Sequence, residues 1–224
     1  MDLKKYLPKE ILKILMKNDF LSKPFFLEGT TIFADISGFT QLSEELNKLG
    51  REGAEILTNT LNFYFDNLIS IIYKNGGDIM RFAGDAITAF FPMDLEENAL
   101  FSSIEIQNFF KENEIARTSF GEFSIKIKIG IATGRHTLMI LGEEPFFDYV
   151  FAGIPVDKAA EAEHNALAGE VVFYKDEFIK INQSKKFCPK KIKEEEIDFE
   201  NEKIKKFLNP ILYKKISSGF EKFL

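Results

Sequence analysis

The fold is decided by one stretch of ten residues, Thr31-Ile-Phe-Ala-Asp-Ile-Ser-Gly-Phe-Thr40. Its apolar beginning predicts a short buried strand that ends on Asp35, and the Ser-Gly that follows predicts a tight turn with a helix starting near Phe39. A second stretch, residues 78–91, has two apolar runs on either side of a Gly-Asp pair, the pattern of a hairpin with Asp85 at its tip. If the two strands are neighbours, the two carboxylates meet and make a site for divalent metal and phosphate.

The composition limits the class of protein. At 224 residues, 45% of them hydrophobic, the chain can form one large domain with appendages. Its net charge of −6 argues against a general binder of nucleic acid or of membrane surfaces, so we expect neither partner. A nucleotide substrate is still compatible with this charge, because metal ions can carry the positive charge.

Cysteine and histidine are scarce in this sequence. Cys188 is the single cysteine, which excludes an intrachain disulfide and a Cys-rich zinc site and fits a reducing compartment, so we expect a cytoplasmic protein. His136 and His164 are the only histidines, too few for a histidine metal cluster, and we expect both at the surface. The N-terminus lacks the apolar core of a signal peptide, and no run has the length of a transmembrane helix.

The order of the predicted elements implies an α+β fold with one mostly antiparallel sheet and helices packed on a face. Helices are predicted at 8–20, 39–49, 52–74, 94–114, 156–165 and 176–181, and strands at 30–35, within the hairpin 78–91, and at 124–133, 137–141 and 170–173. The strands 124–133 and 137–141 are expected to pair across a turn that ends at His136. In the first of them isoleucines alternate with Lys126 and Lys128, which predicts one buried and one solvent-facing side.

Four blocks in a fixed order resemble the class III adenylyl/guanylyl cyclase catalytic domain. They are Phe33-Ala-Asp-Ile-Ser-Gly-Phe-Thr40, Gly76-Gly-Asp-Ile-Met-Arg-Phe-Ala-Gly-Asp85, Ile127-Lys-Ile-Gly-Ile-Ala-Thr-Gly134 and Gly153-Ile-Pro-Val-Asp-Lys-Ala-Ala160 with Gly169-Glu-Val171. Phe82-Ala-Gly-Asp-Ala-Ile and the lead-in with Leu7-Pro8 look most like the first cyclase domain of the bicarbonate-responsive soluble adenylyl cyclase group. The resemblance implies a ferredoxin-like, palm-type fold. It also implies an N-terminal helical lead-in at 1–27, a catalytic domain at 28–216 and a C-terminal extension at 217–224.

The same resemblance implies a metal-dependent site. Asp35 and Asp85 would hold two divalent ions, Mg²⁺ or Mn²⁺, with the Ile36 carbonyl as a further ligand. The turn of Ser37, Gly38, Phe39 and Thr40, at a helix N-terminus, would offer backbone N–H groups to the β- and γ-phosphates of ATP or GTP.

The remaining site positions depart from the family pattern. Arg81 stands where the family has a purine-reading lysine, and Val150 stands where an Asp or Thr helps to read adenine. Asp157 replaces the asparagine that orients the ribose, and Glu161 replaces the arginine that stabilises the transition state. A carboxylate at the last position would repel the phosphates, so the resemblance implies a degenerate second half of the site.

Domains of this family work as head-to-tail dimers with each site shared between two partners. This chain keeps the metal and phosphate half, so the resemblance implies a homodimer with two incomplete sites or a pseudo-heterodimer with a complementary cyclase domain. Bicarbonate control is not expected, because Ala160 stands where the related group has an anion-contacting arginine.

Three functions are compatible with these residues. The first is the metal-binding half of a cyclase that makes cAMP. The second is a degenerate cyclase domain that binds nucleotide or anion and acts in regulation or dimerisation. The third is a diguanylate cyclase, because Gly76-Gly-Asp-Ile79 imitates the signature of that family. In that family the Gly-Gly lies at a hairpin tip, whereas here residues 84–85 are the better tip.

Overall fold

A computed structural model describes residues 6–16, 23–144, 146–182, 184–192, 204–208 and 210–218. The chain forms two compact units, and each is described by itself. The larger unit comprises Leu27–His136 and Ala152–Ile192, and it carries most of the sheet. The smaller unit comprises Met1–Phe26, Thr137–Phe151 and Lys193–Leu224. In the smaller unit the Phe147 amide donates to the Lys206 carbonyl, and the Phe147 and Phe207 rings lie 5.5 Å apart.

Six helices and nine strands have defined bounds within these residues. The helices are α1 (Lys9–Leu15), α2 (Phe39–Asn47), α3 (Arg51–Lys74), α4 (Glu96–Glu112), α5 (Ile154–Asn165) and α6 (Pro210–Ser217). The strands are β1 (Phe25–Ser37), β2 (Asp78–Ala83), β3 (Ala86–Pro92), β4 (Ile115–Thr118), β5 (Gly121–Ser124), β6 (Lys126–Glu143), β7 (Phe146–Ala152), β8 (Val171–Lys175) and β9 (Glu177–Lys180). In the part of the chain described, no helix is long and apolar enough to cross a membrane.

The main sheet has the strand order β2-β3-β1-β6-β8-β9, and β7 also pairs with β6. The pairs β1/β3, β2/β3 and β8/β9 are antiparallel, and β6/β8 is parallel. Strands β4 and β5 form a separate antiparallel hairpin. The prediction of an α+β fold with a mostly antiparallel sheet is therefore confirmed.

The main core lies between one face of the sheet and helices α2, α3 and α4. Alternate residues of each strand enter it, as Ile129 and Ile131 do on β6 and Val171 and Phe173 do on β8. The residue between the last two, Val172, points to the other face and packs with Ala162 of α5 and with Ala166, which directly follows that helix. Helix α5 therefore covers the second face of the sheet, which the sequence had assigned to solvent.

Gly130 lets α5 lie directly on β6. A Cβ atom at this position would be 2.0 Å from the Ala159 carbonyl oxygen and 2.2 Å from the Glu163 amide nitrogen. Only a residue without a side chain permits that approach. One consequence is that Lys128, on the same side of β6 as Gly130, has a side chain that is only 23% exposed.

Two of the predicted elements are wrong. The expected turn ending at His136 does not form, because β6 runs without a break from Lys126 to Glu143. The expected helix at 176–181 is the strand β9, which pairs antiparallel with β8. Asp176, with φ of 64°, makes the tight turn between them, and a left-handed residue at that point stops a helix from starting.

His136 is fully buried, so the expectation of a surface histidine is wrong there, whereas His164 is exposed as expected. The His136 Nε2 atom lies 2.6 Å from the Thr31 hydroxyl oxygen, and its ring packs edge-on against Phe90 with 5.1 Å between centroids. Burial lowers the pKa of His136 to about 4, and hydrogen bonds with the backbone of Leu27 and Gly134 oppose this shift. In the folded larger unit the imidazole of His136 is therefore held in its neutral form.

We expect His136 to make the fold sensitive to acid. The unfolded chain protonates this histidine near pH 6.5, while the folded chain does so only near pH 4, so stability falls as the pH drops through that window. Between pH 7.5 and pH 5 this group should remove about 2 kcal/mol from the free energy of unfolding. Urea denaturation followed by circular dichroism at both pH values measures the loss.

The second histidine supplies a matched control. The His136→Gln variant should lose that part of the pH dependence, although its stability at pH 7.5 also falls. The His164→Gln variant should keep the full pH dependence. Equal pH dependence in the two variants would contradict the assignment to His136.

Candidate active site

Strand pairing places the two metal-site aspartates of the sequence prediction next to each other. Asp35 near the end of β1 is the register partner of Ala86 at the start of β3. The amide of Ile36 donates a hydrogen bond of 3.2 Å to the carbonyl of Asp85. Both aspartates are partly exposed, while Ile36 points into the core. The hairpin tip thus brings the second carboxylate to the end of the first strand.

The environment of Asp35 is unfavourable for a negative charge. Burial raises the pKa of the Asp35 carboxyl, and the neighbouring charges of Asp85 and Glu163 raise it further, while Lys128 acts in the opposite direction. A bound cation would relieve this repulsion. The electrostatics therefore favour occupation of the site by positive charge.

Lys128 is a site residue that the sequence prediction missed. Its Nζ atom lies 3.9 Å from Asp35 Oδ2 and forms an ion pair with Glu163 on α5. Lys128 belongs to one of the quoted sequence blocks, but its alternation with isoleucines assigned it to a solvent-facing side. The sequence signal for the burial of Lys128 was Gly130, two residues later, because a glycine in a strand indicates that another segment packs closely on that side.

The turn after β1 has the geometry expected of an anion site. Gly38 has φ of 95°, and a Cβ there would lie 2.2 Å from the carbonyl oxygen of Ser124. Helix α2 starts at Phe39 with no acidic residue in its first turn, and its N-cap residue, Gly38, has no side chain with which to cap it. The backbone N–H groups at this helix start are therefore available to a ligand, and they lie at the positive end of the helix dipole.

The four degenerate positions are dispersed over three elements. Arg81 lies on β2 opposite Thr88, after an irregularity in the pairing with β3, and is exposed. Val150 is on β7 with 41% of its surface exposed. Asp157 and Glu161 both lie on the exposed side of α5.

Glu161 is already paired within its own helix. Its Oε2 atom accepts a hydrogen bond of 2.6 Å from Lys158, whose Nζ also lies 5.1 Å from the centre of the Tyr174 ring. The exposed side of α5 therefore carries one ion pair without net charge, Lys158 with Glu161, and the negative charge of Asp157. Neither replaces the positive charge that the family pattern has at this point.

The donor set fits a hard divalent cation. Asp35 and Asp85 supply carboxylate oxygens, and the local backbone supplies carbonyl oxygens, which are the ligands that Mg²⁺ and Mn²⁺ prefer. In the described part of the chain no group of three or more His, Cys, Asp or Glu residues could hold a metal ion. An ion at this site would therefore complete its coordination with substrate phosphate and water, as Mg²⁺ commonly does.

The chain matches known cyclases in sequence and in structure. The family model described as the adenylate and guanylate cyclase catalytic domain matches residues 26–209. Adenylate cyclase type 10 of Rattus norvegicus is 30% identical over 153 residues, which cover 65% of this chain and only 9% of that protein. Among solved structures, the adenylyl cyclase CyaB from P. aeruginosa is 29% identical with a TM-score of 0.56, covering 69% of this chain and 80% of that chain. The guanylyl cyclase Cya2 is 26% identical with a TM-score of 0.55, covering 67% and 75%.

We expect Gly38→Ala to cost more stability than a left-handed glycine alone explains. Gly169, whose φ of 92° is close to the 95° of Gly38, has open space around its missing Cβ, so Gly169→Ala should cost only about 1–2 kcal/mol. Gly38→Ala should cost roughly 1–3 kcal/mol more, because its methyl group meets the Ser124 carbonyl. Urea denaturation of the two variants measures the difference, and equal losses would contradict the close approach.

Proposed function

Because this chain belongs to the adenylate and guanylate cyclase catalytic domain family, we propose that it supplies the metal- and phosphate-binding half of a nucleotidyl cyclase site. The reaction is the conversion of ATP to cAMP and pyrophosphate. The observation that carries the proposal is the adjacency of Asp35 and Asp85 at the ends of two paired strands. We take the catalytic domain to span residues 28–216.

In this proposal each part of the half-site has a distinct task. Asp35, Asp85 and the Ile36 carbonyl hold two divalent ions, which when bound supply activation of the ribose 3′-hydroxyl and neutralisation of the phosphate charge. The N–H groups of the turn Ser37–Thr40 orient the β- and γ-phosphates at the start of α2. Lys128 adds one positive charge on the side of Asp35 that α5 covers.

The chemistry requires one bond to form and one to break. The 3′-oxygen attacks the α-phosphorus, the bond from that phosphorus to the bridging oxygen of the β-phosphate breaks, and pyrophosphate leaves. The 3′-proton passes to water or to a basic oxygen at the site. Positioning and charge stabilisation supply most of the rate in such phosphoryl transfers, so the groups that hold the triphosphate decide the activity.

The missing half defines the partner. Arg81, Val150, Asp157 and Glu161 do not provide the purine-, ribose- and transition-state groups of the family, so a second cyclase domain must provide them in a head-to-tail dimer. The similarity to an adenylate cyclase favours ATP, while the similarity to a guanylyl cyclase keeps GTP as a second substrate to assay. The partner domain can come from another chain or from a longer parent protein.

A second candidate function is a regulatory domain that binds nucleotide or anion without turnover. It is favoured by the acidic side of α5, where Asp157 and the Lys158–Glu161 pair offer no net positive charge to a transition state. A diguanylate cyclase is disfavoured, because residues 84–85 form the hairpin tip and Gly76 and Gly77 only follow the end of α3.

The first test is a cyclase assay with ATP and with GTP, in Mg²⁺ and in Mn²⁺. The chain alone should be nearly inactive, and its mixture with a cyclase domain that has intact Lys, Asp or Thr, Asn and Arg positions should form cyclic nucleotide. The Asp35→Asn variant should reduce activity of the mixture by at least about a hundredfold, because the carboxylate carries the metal. Nucleotide binding without product in any pairing would favour the regulatory domain instead.

A second test restores the lost groups. The double replacement Asp157→Asn with Glu161→Arg should raise the activity of the chain alone by about a hundredfold, because each identical partner then adds the ribose and transition-state groups to its metal half. Glu55→Arg, a charge reversal on the exposed side of α3, is the control and should leave the activity of the chain alone unchanged. No gain from the double replacement would mean that other positions disable the homodimer.

A further inference from the structure

The ammonium group of Lys128 interacts with two carboxylates at the proposed metal half-site. Lys128 Nζ is in ionic contact with Glu163 and lies 3.9 Å from Asp35 Oδ2. All three side chains are partly shielded from water, with exposed fractions of 23% for Lys128, 10% for Glu163 and 29% for Asp35. In such surroundings the position of the ammonium matters, because charges interact more strongly there than at an exposed surface.

The close packing of α5 on β6 determines which carboxylate pairs with Lys128. Gly130 lets α5 approach β6 until the Glu163 amide nitrogen is 2.2 Å from the point where a Cβ would be. Glu163 therefore stands over the strand that carries Lys128, and its carboxylate is reached by a short ion pair. Asp35 belongs to the neighbouring strand β1 and receives only the longer contact.

Direct contact between Lys128 and Asp35 would compete with a metal ion. An ammonium bound to the carboxylate occupies an oxygen lone pair and cancels the charge that attracts a divalent cation. A lysine side chain is flexible enough to close a gap of this size once its other partner is lost.

We propose that Glu163 is a positioning residue that holds Lys128 away from Asp35 and so keeps the Asp35 oxygens available for a divalent ion. This inference rests on the proposed function, in which Asp35 binds metal. It assigns to α5 a role in the metal half of the site, in addition to the groups that this helix presents on its exposed side. Residues behind the ligands of a metal commonly affect its affinity in this way.

The test uses Mn²⁺ as the probe and the full chain as it stands, with free Mn²⁺ measured by electron paramagnetic resonance. Glu163→Gln, which has nearly the same shape, should weaken Mn²⁺ binding by about tenfold, because Lys128 then moves onto Asp35. The double variant Glu163→Gln with Lys128→Gln should bind Mn²⁺ at least as tightly as the unaltered chain. Thermal denaturation of each variant checks that the fold is retained.

A second ion pair, whose lysine lies on the same strand as Lys128, is the matched control. Glu114 contacts Lys126 at 3.1 Å, and Lys126 lies on the same side of β6 as Lys128. Glu114→Gln removes the same charge and the partner of a neighbouring lysine, yet it should leave the Mn²⁺ affinity within twofold. An equal loss in Glu114→Gln and Glu163→Gln would mean that only the overall charge matters.

Two outcomes separate this inference from the proposed function. If Glu163→Gln weakens Mn²⁺ binding to the same extent with and without Lys128, Glu163 acts by its charge alone and the positioning role is wrong. If Asp35→Asn leaves Mn²⁺ binding unchanged, the metal site itself is wrong and the proposed function fails. A loss in Asp35→Asn with no effect of Glu163→Gln overturns the inference and leaves the proposed function intact.

An activity measurement gives an independent readout. In the mixture with a complementary domain, Glu163→Gln should raise the Mn²⁺ concentration needed for half-maximal rate by about tenfold while kcat at saturating Mn²⁺ changes little. A fall in kcat with an unchanged metal requirement would contradict a role in metal access.

Discussion

The antiparallel pairing of β1 with β3 is the constraint on which the candidate site depends. In this register Asp35 faces Ala86, and the Ile36 amide binds the Asp85 carbonyl, so the two carboxylates are neighbours although fifty residues separate them. The register is fixed by burial, since alternate residues of both strands fill the main core. A slip of one residue would turn Asp35 inward and move its apolar neighbours outward, at a large cost in hydrophobic burial.

The second constraint is the contact between α5 and β6. Gly130 permits it, and the contact encloses Lys128 and Glu163 beside Asp35. Two carboxylates, Asp35 and Glu163, then share one lysine on a partly buried surface, and the charge of Asp85 also acts on Asp35. Burial raises the pKa of the Asp35 carboxyl, the neighbouring negative charges raise it further, and a divalent cation bound there would relieve both effects.

The two sides of α5 carry different chemistry. Its buried side carries Glu163, which in our proposals belongs to the metal half, while its exposed side carries the carboxylates Asp157 and Glu161, which offer no positive charge to a departing pyrophosphate. Under the proposed function, a chain with this asymmetry supplies one half of a shared site and needs a partner for the other half. The chain also spans only 9% of the length of the rat adenylate cyclase type 10 that it matches, so the complementary half can lie in a region beyond the match.

The sequence by itself determined the α+β fold and the hairpin with its Gly-Asp tip, because apolar alternation and turn residues are local signals. It left the meeting of Asp35 and Asp85 conditional on two strands being neighbours, and the pairing of β1 with β3 met that condition. It also predicted which family positions are replaced, because these positions lie within the four blocks or at a fixed distance from them. Local signals could not separate β9 from a short helix, since six residues with Asp176 at their start fit either structure. Nor could they show that His136 lies inside an unbroken strand.

Only the tertiary structure decided whether the second face of the sheet is covered by a helix or exposed to solvent. Alternation along β6 predicts that Lys126 and Lys128 share a side, but it cannot say whether that side meets water or a helix. Helix α5 covers it near Gly130, more than twenty residues later in the chain, and thereby converts Lys128 from a surface residue into a neighbour of Asp35. Burial of this kind depends on which distant segment packs where, and no local pattern contains that information.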